Sequence, residues 1–210
     1  DETRASELQR LNFLRQQKPK ASGRSNRCLA DYVAPGESGL KDHIGLFAVT
    51  AGIGIERKLA EYEQNHDDYS SIMLKALADR LAEALAEHTH LRLRQTLWSY
   101  DPDESLDNEA LIAEEYTGIR PAPGYPACPD HSEKEKIFAL LDAENNSQMQ
   151  LTEGFAMLPA ASVSGYYFAH PQSSYFVLGN ILEDQLQDYA KRKNISPDQA
   201  RRLLAANISL

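Results

Sequence analysis

The stretch that most constrains this chain is residues 120–129, which read RPAPGYPACP and contain four prolines in ten residues. Each proline lacks an N–H group and restricts the residue before it, so a helix interior or a central strand is excluded there. We therefore predict a stiff, extended loop with bare backbone carbonyls. Arg120 at its start is a planar cation that can hold a carboxylate through two parallel hydrogen bonds, and Tyr125 adds an aromatic ring. This combination favours a small-molecule site, although a proline-stiffened surface connection fits the composition equally well.

The composition is that of an ordinary globular protein. Of the 210 residues, 42% are hydrophobic and 25% are charged, and a chain of this length builds about one domain with a sizeable core. The net charge of −9 argues against a nucleic-acid partner, since no face rich in lysine and arginine is available. The densest basic run, residues 191–193, is expected at a helix C-terminus, where cations complement the helix dipole.

Signals for export or membrane insertion are not evident. There is no signal peptide and no apolar run of about 20 residues, so we expect no membrane partner and a cytoplasmic location. Cys28 and Cys128 are expected to be reduced there. The chain begins Asp1-Glu-Thr-Arg without an initiator methionine, and we expect a fragment of something longer.

Apolar periodicity predicts a mixture of helices and short strands. The predicted helices cover residues 6–17, 56–64, 69–95, 107–115, 132–141 and 175–192, with a last one from Ser196-Pro197, and the predicted strands cover residues 28–33, 43–51, 151–158 and 162–169. The predicted helix caps are Asp67 or Asp68, a capping box of Ser132 with Glu135, and Ser196. Strands and helices do not alternate, and the last two strands are close enough to pair antiparallel. The predicted class is therefore α+β, with a mainly antiparallel central sheet flanked by helices.

The longest predicted helix carries two stripes. One consists of large apolar residues at every fourth position: Met73, Leu77, Leu81 and Leu85. The other consists of acidic residues: Asp79, Glu83 and Glu87. We expect the apolar stripe to face the core, with Ala78 and Ala82 allowing close approach, and the acidic stripe to face solvent.

Two patterns resemble ligand sites but lack essential members. Gly52-Ile-Gly54 lies between an apolar strand and a helix, but Arg57 stands where a dinucleotide-binding turn has its third glycine, which favours a plain turn. Cys128 and His131 have the spacing of metal ligands, but a structural zinc needs four donors, so no metal is expected in this fragment. No pairing of nucleophile and base stands out. The chain on its own therefore looks like a binder and not a complete catalyst.

Four segments resemble the activation domain of cobalamin-dependent methionine synthase, the S-adenosylmethionine-binding module at the C-terminus of that enzyme. In chain order they are residues 28–35 (CLADYVAP), 66–87 (HDDYSSIMLKALADRLAEALAE), 120–134 (RPAPGYPACPDHSEK) and 162–176 (SVSGYYFAHPQSSYF). Order and spacing agree from residue 1 to residue 210, which we expect to be a single domain. The resemblance implies a helmet-like fold around a central antiparallel sheet. The family's domain is longer at its N-terminus, so this chain is expected to be N-terminally truncated and to lack one acidic ligand contact.

The resemblance also implies which residues bind S-adenosylmethionine. In that family the residue matching Arg120 binds the ligand's carboxylate, and the backbone matching Ala122 lies near the adenine. Tyr175 and Phe176 match a pair of contacts to the methionine moiety or the nucleoside. The family usually has tyrosine where Phe176 stands, so a contact that needs a hydroxyl is expected to be lost. Glu114 falls where the family often carries an acidic residue close to the cationic sulfonium.

The implied function is reductive reactivation of cobalamin. Tyr125 matches a tyrosine that lies near the upper face of cobalamin, a cofactor bound by a neighbouring domain of the same enzyme. When cob(I)alamin has been oxidised to cob(II)alamin, flavodoxin or a related flavoprotein reduces the cobalt and S-adenosylmethionine supplies the methyl group. The full enzyme is a methyltransferase of methionine biosynthesis, and this fragment is implied to be its reactivation module. Flavodoxins are acidic, so we expect a basic docking patch near residues 191–193 or a docking face on the missing N-terminal part.

Two other classes of function remain open on the sequence. A stand-alone S-adenosylmethionine-dependent methyltransferase would turn over without any corrinoid. A non-catalytic docking module would keep the fold and fail to bind S-adenosylmethionine.

Overall fold

A computed structural model describes residue 4, residues 6–21 and residues 23–208. The helices are α1 (Glu56–Gln64), α2 (Asp68–Arg92), α3 (Asn108–Ile112), α4 (Lys134–Leu141), α5 (Ala143–Ser147), α6 (Glu183–Lys193) and α7 (Pro197–Leu203), and the strands are β1 (Gly45–Thr50), β2 (Gln150–Leu151), β3 (Met157–Leu158) and β4 (Ser162–Tyr167). Short 3-10 turns lie at Leu29–Tyr32, Gly36–Ser38, His131–Glu133 and Ala205–Asn207, and a π-helical turn at Leu93–Leu97 continues α2. The predicted α+β class with antiparallel pairing is confirmed.

The central pairing joins strands that are far apart in the sequence. β1 and β4 pair antiparallel over six residues, from Gly45 opposite Tyr167 to Thr50 opposite Ser162. The predicted pairing of the last two strands is wrong, because the predicted strand 151–158 folds on itself as the β2–β3 hairpin. Glu153-Gly154 lies at the turn of this hairpin, and glycine favours such a reversal over a continuous strand.

Helix α2 packs against the sheet with its small residues. Ala78, Ala82 and Ala86 are buried, and Ala86 contacts the rings of Phe47 and Tyr167. The prediction that the large apolar stripe faces the core is wrong. Its members are 40–62% exposed: Met73, Leu77, Leu81 and Leu85. Ala78 and Ala82 pack in a cluster with Ala161 and Val163, whereas Ala86 packs in a cluster with Phe47 and Tyr167. Small residues therefore let the helix backbone lie close to the sheet.

The predicted helix at residues 6–17 is also wrong, because this segment is irregular and lies across the molecule. The N–H of Arg15 donates to Gln185 Oε1 at 2.7 Å, and Gln185 Nε2 donates back to the Arg15 carbonyl at 2.8 Å. Leu14 is buried in the cluster that contains Leu186 and Tyr189. Tertiary partners therefore satisfy the backbone in place of helical hydrogen bonds.

Two further boundaries differ from the predictions. The predicted strand at residues 28–33 is a 3-10 turn. The predicted helix at residues 175–192 begins only at Glu183, since the chain before it is held elsewhere, with the N–H of Leu178 donating to the carbonyl of Pro126 at 2.9 Å.

Helix caps follow the sequence in two of three cases. Asp67 accepts from the N–H of Ser70 at the start of α2, and Ser196 accepts from the N–H of Gln199 at the start of α7. The predicted cap at Ser132 is wrong, because Asp130 caps that turn and accepts the Ser132 N–H itself.

The basic run at residues 191–193 is largely neutralised. The Lys193 side chain is 10% exposed and pairs with Asp130 at 3.0 Å and with Glu133 at 2.5 Å. Arg192 pairs with Asp188 at 2.8 Å. The expected basic docking patch is therefore reduced at this position to exposed Lys191, which makes no ion pair among the described residues, and it stays a prediction. Within the described residues, no helix is both long enough and apolar enough to cross a membrane.

Candidate functional site

The proline loop at residues 120–129 is closed by its own hydrogen bonds. The N–H of Gly124 donates to the carbonyl of Cys128 at 2.8 Å, and the N–H of Cys128 donates to that of Tyr125 at 3.0 Å. The Ala122 carbonyl accepts from the N–H of Tyr125 and from the thiol of Cys128. The expectation of bare carbonyls is therefore wrong at these positions, and the pairing within the loop makes it rigid.

Two glycines let the loop lie close to its neighbours. Gly124 has φ +95°, and a Cβ there would lie 2.2 Å from a ring carbon of His131. In β4, a Cβ at Gly165 would lie 2.6 Å from the carbonyl oxygen of Pro121, which accepts the Tyr166 N–H at 2.9 Å. The start of the loop is thus hydrogen bonded directly to β4.

The Arg120 side chain lies in a polar network and is 19% exposed. Its Nη2 lies 2.7 Å from Glu87 Oε2, and its Nη1 donates to the Tyr116 hydroxyl at 2.6 Å. Nη1 also lies 3.4 Å from His90 Nδ1. A guanidinium has more N–H groups than these three contacts use, and its Nε–H contacts no acceptor within the described part of the chain. A carboxylate that approaches Arg120 therefore finds a charged donor available.

The histidine beneath this network is neutral. His90 is fully buried, its ring stacks on Tyr167 with centroids 5.0 Å apart, and its Nε2 lies 3.2 Å from the Tyr100 hydroxyl. Burial, together with the nearby cations of Arg94 and Arg120, lowers the pKa of His90 to about 2. His90 therefore adds no charge to the site at neutral pH.

Tyr116 is held in place by a buried ion pair. Arg94 is fully buried, pairs with Glu104, and has its guanidinium carbon 4.1 Å from the centre of the Tyr116 ring. Burial raises the pKa of Tyr116, so its hydroxyl keeps its proton at neutral pH. The hydroxyl oxygen can therefore accept from Arg120 while the ring packs on Arg94.

A cavity of about 490 Å³ opens beside Arg120, a volume within the range of small-molecule sites. Its lining consists of Phe47, Glu83, Glu114, Arg120, Pro121, Ala122, Tyr125, Pro126, Ala127, Val163, Tyr175, Phe176 and Val177. All six residues selected from the sequence are therefore brought to one cavity: Arg120, Ala122, Glu114, Tyr125, Tyr175 and Phe176. The role of each of these residues stays a prediction.

The segment before α6 closes one side of this cavity. The hydroxyl of Tyr175 accepts the backbone N–H of Arg120 at 3.1 Å, which links the segment to the proline loop. Burial of that hydroxyl raises the pKa of Tyr175, although part of its ring is exposed. Phe176 is partly buried against the core cluster that contains Ile137 and Tyr166.

Two carboxylates belong to the cavity lining. Glu114 is exposed, follows α3 and has φ +56°. Glu83, on α2, was expected to be merely solvated, yet it lines the cavity as well. An acidic lining suits a cationic ligand group.

Sequence reasoning missed two residues that hold Arg120. Glu87 lies one helical turn after Glu83 on α2, and this i, i+4 spacing is the signal that could have placed both on the cavity side. Tyr116 lies four residues before Arg120, in an irregular segment where no periodicity identifies it.

Cys28, Cys128 and His131 do not form a metal centre in the part of the chain that the structure describes. Cys28 and Cys128 are free and buried, and burial raises the pKa of both thiols. No group of three or more His, Cys, Asp or Glu side chains among these residues could hold a metal ion.

Comparison with known proteins identifies similar domains. The family model described as "Vitamin B12 dependent methionine synthase, activation domain" matches residues 1–194. Among solved structures, the crystal structure of the MetH reactivation domain bound to AdoHcy superposes with a TM-score of 0.97 at 53% sequence identity. That match covers 100% of this chain and 64% of the other chain, so the present chain spans 64% of the length of that domain.

Proposed function

Since the chain belongs to the activation-domain family of vitamin B12-dependent methionine synthase, we propose that its cavity binds S-adenosylmethionine for the remethylation of cobalamin. The observation that carries the proposal is Arg120, which keeps a charged donor available beside a cavity of about 490 Å³. The related MetH reactivation domain, whose structure contains AdoHcy, supports the same ligand class.

Each part of this ligand has a chemically matched partner in the cavity. The carboxylate binds Arg120, which Glu87 and Tyr116 hold in place. The cationic sulfonium lies near the carboxylates of Glu83 and Glu114, because opposite charges attract most where water is partly excluded.

The nucleoside has an apolar wall to pack on. Phe47, Val163 and Ala122 supply apolar contact, and Ala122 adds its backbone. Tyr175 and Phe176, in the segment before α6, close one side of the cavity. Phe176 offers contact area but no hydroxyl, so we propose that this position contributes packing alone.

Tyr125 is an exposed aromatic residue of the cavity lining. Its side chain is 61% exposed, so we place it toward the upper face of a docked corrin. Reduced cobalamin, carried by another domain, supplies the nucleophile. The task of this chain is then to orient the methyl donor, and a rigid loop suits that task because it loses little freedom on docking.

The wider assignment follows from the family. We propose that the chain is a single binding unit of a cytoplasmic methyltransferase that makes methionine from homocysteine and methyltetrahydrofolate. Its proposed partners are the cobalamin-binding domain of the same enzyme and flavodoxin or a related flavoprotein. The chain serves as the reactivation module and not as the main catalytic centre.

Calorimetric titration with S-adenosylmethionine tests the binding proposal. Arg120→Ala should weaken binding about ten- to a hundredfold, since charge-assisted hydrogen bonds contribute roughly 1.5–3 kcal/mol. Arg202→Ala removes an exposed arginine outside the cavity lining and should leave the affinity unchanged.

Three outcomes would count against this assignment. Equal affinity of wild type and Arg120→Ala would move the site away from the proline loop. A folded wild type that does not bind would favour a docking module. Methyl transfer to another acceptor without any corrinoid would favour a stand-alone methyltransferase.

A further inference from the structure

A second cavity of about 400 Å³ adjoins the first. The two share four lining residues: Glu83, Ala122, Tyr125 and Val163. Because Tyr125 belongs to both linings and is largely exposed, its ring stands at the junction of the two cavities. A group that enters the second cavity therefore lies next to the ligand in the first.

The far wall of the second cavity contains a strained turn. Gly154, Phe155, Ala156 and Met157 of the β2–β3 hairpin line it. Phe155 has φ +62°, a left-handed conformation that is strained for a bulky residue. Such strain clusters at functional sites, where the surrounding structure maintains it.

A buried lysine maintains this turn. Lys134 is 6% exposed, and its ammonium donates to the carbonyl of Phe155 at 3.0 Å. It also lies 2.9 Å from Nδ1 of His131, an exposed residue that lines the same cavity. An ammonium can only donate, so Nδ1 accepts and the ring carries its proton on Nε2.

This wall has more hydrogen-bond donors than acceptors that pair with them. An ammonium has three N–H groups, and Lys134 uses two of them on Phe155 and His131. The Nε2–H of His131 adds a donor that contacts no acceptor within the described residues. The cavity therefore suits a neutral ligand group that accepts hydrogen bonds. A free carboxylate would meet Glu83, the one acidic residue among those lining it.

We propose that the second cavity receives carboxamide side chains at the rim of the cobalamin corrin, whose amide oxygens accept from Lys134 and His131. The inference rests on the proposed function, since it places the methyl acceptor beside the methyl donor across Tyr125. The corrin rim carries several acetamide and propionamide chains, which offer neutral carbonyl acceptors of the required kind. Lys134 and His131 thus position the acceptor and take no part in bond making.

The test is binding of methylcobalamin to the chain saturated with AdoHcy. These two compounds are the products of the proposed methyl transfer. Binding is measured by equilibrium dialysis, in which the visible absorbance of the corrin reports bound methylcobalamin in every variant. Lys134→Met should weaken methylcobalamin binding about tenfold or more, because a charge-assisted bond is lost while the aliphatic stem remains. Lys191→Met removes the same charge from an exposed position and should have no effect.

A second variant and a ligand control keep the outcomes distinct. His131→Phe keeps a ring beside Gly124 and should also weaken methylcobalamin binding, even if Lys134→Met fails to fold. Neither variant should change the AdoHcy affinity measured by calorimetry. Unchanged methylcobalamin binding in a folded variant, or none in AdoHcy-loaded wild type, overturns the inference. Failure of wild type to bind AdoHcy overturns the proposed function instead.

Discussion

Replacing Glu87 with alanine tests whether the Arg120 network is held by its ion pair. The pair is mostly buried, with side chains 19% and 28% exposed for Arg120 and Glu87 and an N–O distance of 2.7 Å. Without Glu87, the guanidinium keeps only the Tyr116 hydroxyl and neutral His90 as partners. A hydrogen bond between charged groups contributes about 1.5–3 kcal/mol, and breaking a partly buried pair strands the remaining charge. We expect Glu87→Ala to lower the free energy of unfolding by about 2 kcal/mol.

Urea denaturation at pH 7 measures this loss, and two variants serve as controls. Glu83→Ala removes a carboxylate one helical turn earlier that lies on the cavity but makes no ion pair within the described residues. It should cost less than about 0.5 kcal/mol. Glu87→Gln keeps an acceptor without the charge and should fall between the two. Equal losses for Glu87→Ala and Glu83→Ala would refute the argument that the pair holds Arg120.

Two further outcomes test the surroundings of the site. The unfolded state takes up a proton at His90 below its ordinary pKa of 6.5, whereas the folded state resists it down to about pH 2, so stability falls as pH falls. The loss is about 1.4 kcal/mol per pH unit, or roughly 2 kcal/mol at pH 5. Urea melts at several pH values measure this dependence. In His90→Gln the free energy of unfolding should fall less steeply with falling pH than in wild type, and the same slope in both proteins would contradict the argument. On α2, Ala82→Leu should cost about 1–3 kcal/mol by overpacking, while Leu81→Gln on the exposed stripe should cost less than about 0.5 kcal/mol; the reverse order in urea melts would contradict the packing.

The candidate site was largely predictable because its residues are local in the sequence or carry a family resemblance. The proline content of residues 120–129 predicts a rigid loop, and Arg120 is an obvious anion ligand within it. The resemblance added Glu114, Tyr175 and Phe176, and the structure brings all of them to the same cavity. Glu87 was missed although its i, i+4 spacing from Glu83 places both on one helix face, because a row of carboxylates on a helix is equally typical of a solvated surface.

The fold was less predictable where the choice depended on partners. Periodicity correctly places α2, but its buried face is decided by close packing on the sheet, where its alanines meet Phe47 and Tyr167 at one end and Ala161 and Val163 at the other. Likewise, helical spacing at residues 6–17 gives way to long-range hydrogen bonds with Gln185. In both cases the deciding contact comes from a residue far away in the sequence, which local patterns do not encode.

The most direct test of the central claim is a crystal structure of this chain with bound S-adenosylmethionine. The account predicts the ligand's carboxylate within hydrogen-bond distance of Arg120, its sulfonium near Glu83 and Glu114, and its nucleoside beside Ala122. Ligand bound elsewhere, for example in the larger depression beside residues 18–21 and 23–27, would contradict it. So would an S-adenosylmethionine carboxylate that makes no contact with Arg120.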